Sequence, residues 1–82
     1  MKVRVRLFAG LREYVGQAEL ELELPDNARV SDLQETIGRD YPRLKPLLPG
    51  LAFAVNEEYA TRDQALHEDD EVALIPPISG GQ

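Results

Sequence analysis

The sequence predicts a single α+β domain: a mixed sheet of four to five strands with one main helix laid across one face. Three observations predict it. Two early segments alternate apolar and charged residues with a period of two. A middle segment carries apolar residues at helical spacing and ends at a proline. Two later apolar segments then bring the chain back to the sheet. A length of 82 residues allows one domain with one modest core. Such a core leaves little room for a deep substrate cavity, which disfavours a free-standing enzyme.

From Lys2 to Phe8 the alternation is strict. Val3, Val5 and Leu7 point one way and Lys2, Arg4 and Arg6 the other, the pattern of a half-buried strand, and Phe8 falls out of the inward register. Glu19 to Leu24 repeats the pattern, with Leu20, Leu22 and Leu24 inward and Glu19, Glu21 and Glu23 outward. Paired as an antiparallel hairpin, these strands set basic against acidic residues, worth about 0.2–1 kcal/mol per pair. The connection from Ala9 to Ala18 is long for a hairpin. Leu11, Tyr14 and Val15 have helical spacing, which predicts a packed helical turn between turn points at Gly10 and Gly16.

Pro25-Asp26-Asn27 ends the second strand. The main helix follows, with Ser31 as N-cap and Gln34 completing a capping box. Val30, Leu33, Ile37 and Tyr41 share a face, and Pro42 stops the helix because the residue before proline is pushed out of helical geometry. Gly38 inside it costs up to about 1 kcal/mol against alanine. Arg43 to Gly50 is irregular. Leu51 to Val55 is a strand, Asn56-Glu57-Glu58 a turn, Gln64 to Leu66 a short edge strand, His67 to Asp70 a polar turn, and Val72 to Ile75 a buried final strand closed by Pro76-Pro77. This order of elements is that of the β-grasp, or ubiquitin-like, fold. The expected division is a β-grasp domain over residues 1–77 and a C-terminal tail over 78–82.

Composition narrows the function. Nine Lys and Arg against fifteen Asp and Glu give a net charge of −6, which argues against nucleic acid binding, since that requires clustered positive charge. No apolar run approaches the length of a membrane span. The alternating first residues are no signal peptide, so a cytoplasmic protein is expected. There is no cysteine, which excludes a disulfide framework, a thiolate metal site and a cysteine nucleophile. Any sulfur this chain handles must come from another protein. The one histidine lies on a predicted turn. Asp69, Asp70 and Glu71 lack the alternating ligand loop of a cation site, so no metal is expected.

The last seven residues, Pro76-Pro77-Ile78-Ser79-Gly80-Gly81-Gln82, carry the most information. Two prolines lack N–H donors and cannot continue a sheet interior. Two glycines then form a thread without side chains that a narrow partner channel admits, and the missing Cβ lets enzyme backbone and nucleotide approach closely.

Three segments resemble the small-subunit family of molybdopterin synthase. Phe8-Ala9-Gly10-Leu11-Arg12-Glu13-Tyr14-Val15-Gly16 is similar to its first-loop signature, Ala54-Val55-Asn56 to its central strand, and Asp70 to Gly81 to its C-terminal block. The resemblance spans essentially the whole chain. It implies that an adenylating, E1-like activating enzyme uses ATP to adenylate the carboxylate of Gly81, which then receives sulfur as a thiocarboxylate. The tail, Ser79, Gly80 and Gly81, enters the large subunit of molybdopterin synthase and gives sulfur to a pterin precursor. The carrier binds no cofactor and supplies no catalytic side chain. The resemblance also implies partner contacts for Phe8, Arg12, Ile75, Pro76, Pro77 and Ile78.

The chain departs from the family pattern twice. It reads Gly81-Gln82 where the family ends at Gly-Gly. Either a peptidase removes Gln82, or Gln82 is foreign to the natural chain, or this copy is not charged in the usual way. Asp69 stands where the family places glycine, and Asp tolerates left-handed backbone better than most residues. For individual residues two readings stay open. Ile75 is either core or partner anchor, Phe8 either an interface aromatic or a cap on the core beside Tyr14, and Arg12 either a partner contact or part of a solvated ion pair. A carrier for thiamin or tRNA thiolation, a ubiquitin-like protein modifier and an inert interaction domain are the alternative functions.

Overall fold

The computed structural model describes residues 1–76; Pro77 to Gln82, and with them the expected boundary after residue 77, lie outside the described residues. The elements run β1 (Lys2–Leu7), α1 (Ala9–Val15), β2 (Glu19–Glu23), α2 (Val30–Asp40), two 3-10 turns (Pro42–Leu44 and Leu48–Gly50), β3 (Ala52–Val55), β4 (Glu58–Ala60) and β5 (Glu71–Ile75). Five strands form one mixed sheet in the order β2-β1-β5-β3-β4. The pairing of β1 with β5 is parallel and the others are antiparallel, which is the β-grasp arrangement.

Alternation in sequence becomes alternation in burial. Val3, Val5 and Leu7 are buried on β1, Leu20 and Leu22 on β2, Val72 and Leu74 on β5, and Phe53 and Val55 on β3. All belong to one apolar cluster with Val30, Leu33 and Ile37 of α2. The β1–β2 register sets Lys2 opposite Glu23, Arg4 opposite Glu21 and Arg6 opposite Glu19, as the charge pattern predicts. The Arg6 guanidinium nevertheless contacts Glu71 on the other neighbouring strand, at 3.3 Å. Both side chains are partly exposed, so this pair contributes at most about 1 kcal/mol.

Several local expectations are corrected. The main helix starts before Ser31: Arg29 is the N-cap, and its backbone N–H donates to the Asp32 carboxylate at 2.8 Å. The helix begins earlier because the 61–65 segment supplies acceptors for the next amides, Val30 N to Gln64 O and Ser31 N to Arg62 O, both at 3.0 Å. Gly10 lies inside α1 and is no turn point. Gly16 does end α1, as a left-handed C-cap with φ 89°. Tyr14 is exposed and not packed inward; Arg43 stacks over its ring at 4.6 Å. The expected strand at Gln64–Leu66 is reduced to one bridge between Ala65 and Arg29, and the edge strand beside β3 is Glu58–Ala60. Gly38 is buried, and a Cβ there would stand 3.4 Å from Leu48 Cδ1. That is an ordinary van der Waals contact, so packing does not by itself require glycine there.

Two tight turns fix the β3–β5 half of the sheet. Val55 pairs with Glu58, leaving Asn56 and Glu57 as a two-residue hairpin turn with φ 50° and 74°. Positive φ at both positions is the type I′ signature, which suits asparagine and strains glutamate. Asp69 also lies at positive φ, 68°, where the family pattern places glycine. Asp70 joins the two turns: its carboxylate accepts from Asn56 Nδ2 at 3.0 Å and from the His67 backbone N–H at 2.8 Å, while Asn56 Oδ1 accepts from Glu71 N at 3.1 Å.

Glu57→Gly is expected to raise stability by up to about 1 kcal/mol by relieving left-handed strain. Asp70→Ala is expected to lower it by about 1–3 kcal/mol, because a buried acceptor shared by two donors is lost. Urea unfolding of both variants, with unchanged m and shifted midpoint, measures these effects.

Candidate functional site

The geometry of the chain's exit follows from the position of β5. It has hydrogen-bonded neighbours on both sides, and Ile75 pairs with Ala52 at the start of β3. Because β5 runs parallel to β1, its end lies at the same end of the sheet as the β1–α1 junction. The printed register closes with Leu7 opposite Leu74, so Phe8 and Ile75 are the next positions on adjacent strands. Phe8 is still extended, with φ −117° and ψ 155°, and continues the outward row of β1. The Arg6 guanidinium lies 5.4 Å from its ring centroid.

The face of the sheet away from α2 divides into two chemical halves. Registers link Glu19, Arg6, Ala73, Ala54 and Tyr59 into one row across all five strands. On β2 and β1 this face is charged. On β5, β3 and β4, beyond Glu71, which pairs with Arg6 at the boundary, it presents Ala73, a buried Ala54, Ile75 and Tyr59, the last 76% exposed. The alternating burial of β5 puts Ile75 on this open face, half-buried, while Val72 and Leu74 face the core. Ile75 is thus not a member of the main apolar cluster.

Two depressions flank the exit. One, of about 290 Å³, is lined by Phe8, Arg12, Arg6, Glu19 and Glu71 among others, and is polar with both charge signs. The other, of about 510 Å³, is lined by Gly10, Leu11, Tyr14, Pro46, Leu47 and Pro76 among others, and is apolar. Both draw residues from α1. The structure therefore brings Phe8 and Arg12 together, places Ile75 on the open face, and sets Pro76 in the wall of the apolar groove. Pro77, Ile78, Ser79, Gly80 and Gly81 lie outside the described residues. A third groove, of about 570 Å³ along α2, shares no lining residue with the exit. Sequence reasoning missed Leu47 and misplaced Tyr14. Leu47 lies in a proline-punctuated segment without periodicity, so no pattern marks its side chain as exposed.

Comparison with known proteins agrees with this fold. The sequence model of the ThiS family matches residues 5–81. The chain belongs to the ThiS family. Within it, the chain is 41% identical to the molybdopterin synthase sulfur carrier subunit of Chlamydomonas reinhardtii, over 99% of this chain and 100% of that protein. Among solved structures, the putative molybdopterin converting factor subunit 1 of Pyrococcus furiosus superposes with TM-score 0.85 at 35% identity, covering 95% of this chain and 99% of that one. SAMP1 of Haloferax volcanii superposes with TM-score 0.89 at 27% identity, covering 99% and 100%. The ThiS-family match includes Gly81 and stops short of Gln82. No helix among the described residues is long and apolar enough to cross a membrane.

The exposed and buried members of the exit region are expected to separate in stability. Phe8→Ser, at a side chain 40% exposed, should change unfolding free energy by no more than about 0.5 kcal/mol. Leu74→Ala, one residue before Ile75 and fully buried, should cost about 2–5 kcal/mol. Thermal or urea unfolding of the two variants checks the contrast.

Proposed function

We propose that this chain is the sulfur carrier subunit of a molybdopterin synthase, acting in the cytoplasm. The observation that carries the reading is the full-length similarity to sulfur carrier subunits of that name, extending through Gly81. The position of β5 supports it. A strand held on both sides is a firm anchor for whatever follows it, and the chain leaves at Pro76 from the end of the sheet.

The chemistry follows from what a carboxylate lacks. It is a poor electrophile, so an E1-like partner uses ATP to turn the carboxylate of Gly81, after loss of Gln82, into a mixed anhydride with AMP. Pyrophosphate leaves as that anhydride forms; sulfide-level sulfur from a donor protein then attacks the acyl carbon, AMP departs, and a thiocarboxylate remains, a soft and strong nucleophile. Ser79, Gly80 and Gly81 carry this group into the large subunit, where exclusion of water protects it while sulfur passes to the pterin precursor. Phe8, Arg12, Ile75, Pro76, Pro77 and Ile78 form the docking surface around the thread. The open face suits that task, because its apolar half meets a partner's apolar surface while its charged half sets orientation.

A chain ending at Gly81, incubated with its activating enzyme, ATP and a sulfur donor, is expected to gain the mass of one sulfur in exchange for one oxygen. A carboxylate that stays unchanged beside a competent partner defeats the reading. A second reading rests on the likeness to SAMP1, a small archaeal modifier protein. In it, activated Gly81 is joined to lysine amines of other proteins. Gel-shifted covalent adducts in cells that vanish on Gly81 deletion distinguish that use.

A further inference from the structure

The chain has nine cationic side chains, and seven of them are arginine. The two lysines are Lys2 and Lys45. The two residue types differ in chemistry more than in charge. A guanidinium stays protonated throughout the working range of proteins, whereas a lysine amine that has lost its proton attacks acyl groups.

Their places in the fold differ as well. The cations at the exit are arginines. Arg6 and Arg12 line the depression that contains Phe8. Arg43 covers the ring of Tyr14, which shares the apolar groove with Pro76. Lys2 opens β1, where its carbonyl oxygen accepts from the Asp69 N–H at 2.8 Å. Asp69 is six positions before Ile75, or about 20 Å along a strand. The Met1 amino group is at that same end and donates to the Leu24 carbonyl oxygen at 2.6 Å. Lys45 precedes Pro46 of the exit groove, but its stem lies against α2. Its Cγ is 3.5 Å from where a Cβ on Gly38 would stand, and it lines the groove along that helix.

We propose, resting on the carrier reading of Gly81, that Arg6, Arg12 and Arg43 determine specificity for sulfur over nitrogen. They give the exit positive charge without giving it an amine. In the competing reaction an amine nitrogen attacks the acyl carbon of the adenylate. A C–N bond forms, the C–O bond to AMP breaks, AMP leaves and the amine proton goes to water. The product is an internal amide, and that carrier molecule is lost. The five residues from Pro76 to Gly81 span at most about 17 Å whatever path they take, a length that covers both depressions at the exit. Tethering gives an amine placed there an effective concentration in the millimolar range or above. Arginine removes this side reaction and keeps a charge that pairs with carboxylates of a partner. The same arrangement keeps a protein modifier from joining to itself, so it holds for either use of Gly81.

The test uses an acyl end made without any activating enzyme: residues 1–81 released from an intein fusion as the Gly81 thioester of a small thiol. The amine step is the same, with the thiol leaving in place of AMP. The unmodified sequence is expected to give the free acid by hydrolysis and no amide. Arg6→Lys, Arg12→Lys and Arg43→Lys keep the charge. Their thioesters are expected to decay at least about fivefold faster at pH 8, because the new amine is tethered to the acyl end. The product is one water lighter than the acid, and tandem mass spectrometry maps its amide to the introduced lysine. Such an amide in any of the three variants, with acid alone from the unmodified sequence, supports the proposal. Acid alone from all three overturns it, and so does closure of the unmodified sequence onto Lys2, Lys45 or Met1. Because no enzyme acts, that failure is distinct from a failure of the activating enzyme to charge Gly81, which defeats the carrier reading.

Discussion

The insertion of β5 between β1 and β3 is the constraint on which the rest of the molecule depends. Parallel pairing with β1 joins residues almost seventy positions apart, a long-range contact whose connection carries α2 across the sheet. Val72 and Leu74 then lie at the centre of the core, and the polypeptide is carried to one end of the sheet with its last paired residue held by Ala52. Asp70 and Asn56 secure the entry to this strand by tying together the two tight turns at the opposite end. On the proposed reading the terminus is handled by other proteins, and it must then leave a domain that does not unravel when pulled. A central strand meets that need better than an edge strand, which has hydrogen bonds on one side alone.

The same topology sorts the surface. Alternation along each strand sends one set of side chains into the core and the other onto the open face, so the chemistry of that face is a readout of every second residue. On β1 and β2 those residues are Lys, Arg and Glu in matched positions, which solubilise the face and fix register. On β5 and β3, beyond Glu71, they are Ala73, Ala52 and Ala54, small enough to leave the backbone close to an approaching surface, with the larger Ile75 at the exit. The face thus carries an apolar area beside the exit and a charged area along β1 and β2, the contact area and the sense of direction that the proposed docking requires.

Much of this was legible in the sequence, because period-two and helical patterns report burial directly. The first two strands, their register of opposite charges, the inward face of α2 and the buried last strand follow from residue spacing alone. The left-handed backbone at Asp69 was legible only through the family resemblance, which places glycine there. What escaped were features decided by distant neighbours. The start of α2 moved to Arg29 because Gln64 and Arg62 offered carbonyl acceptors that no local motif announces. Tyr14 turned outward because Leu11 already fills the space beneath α1 and Arg43 covers its ring from another segment.

The candidate site divides in the same way. By itself the sequence determined the chemistry at the end of the chain: no cysteine, a proline pair, and glycines without side chains are statements about covalent composition that no fold alters. Tertiary structure alone decided what surrounds that end. Glu71 joins Phe8 and Arg12 in one depression and Pro76 joins Tyr14 in another, because parallel pairing of the first and last strands brings their ends together. Spacing along the chain encodes local periodicity, whereas proximity between residues sixty or more positions apart arises only when apolar faces are buried against each other.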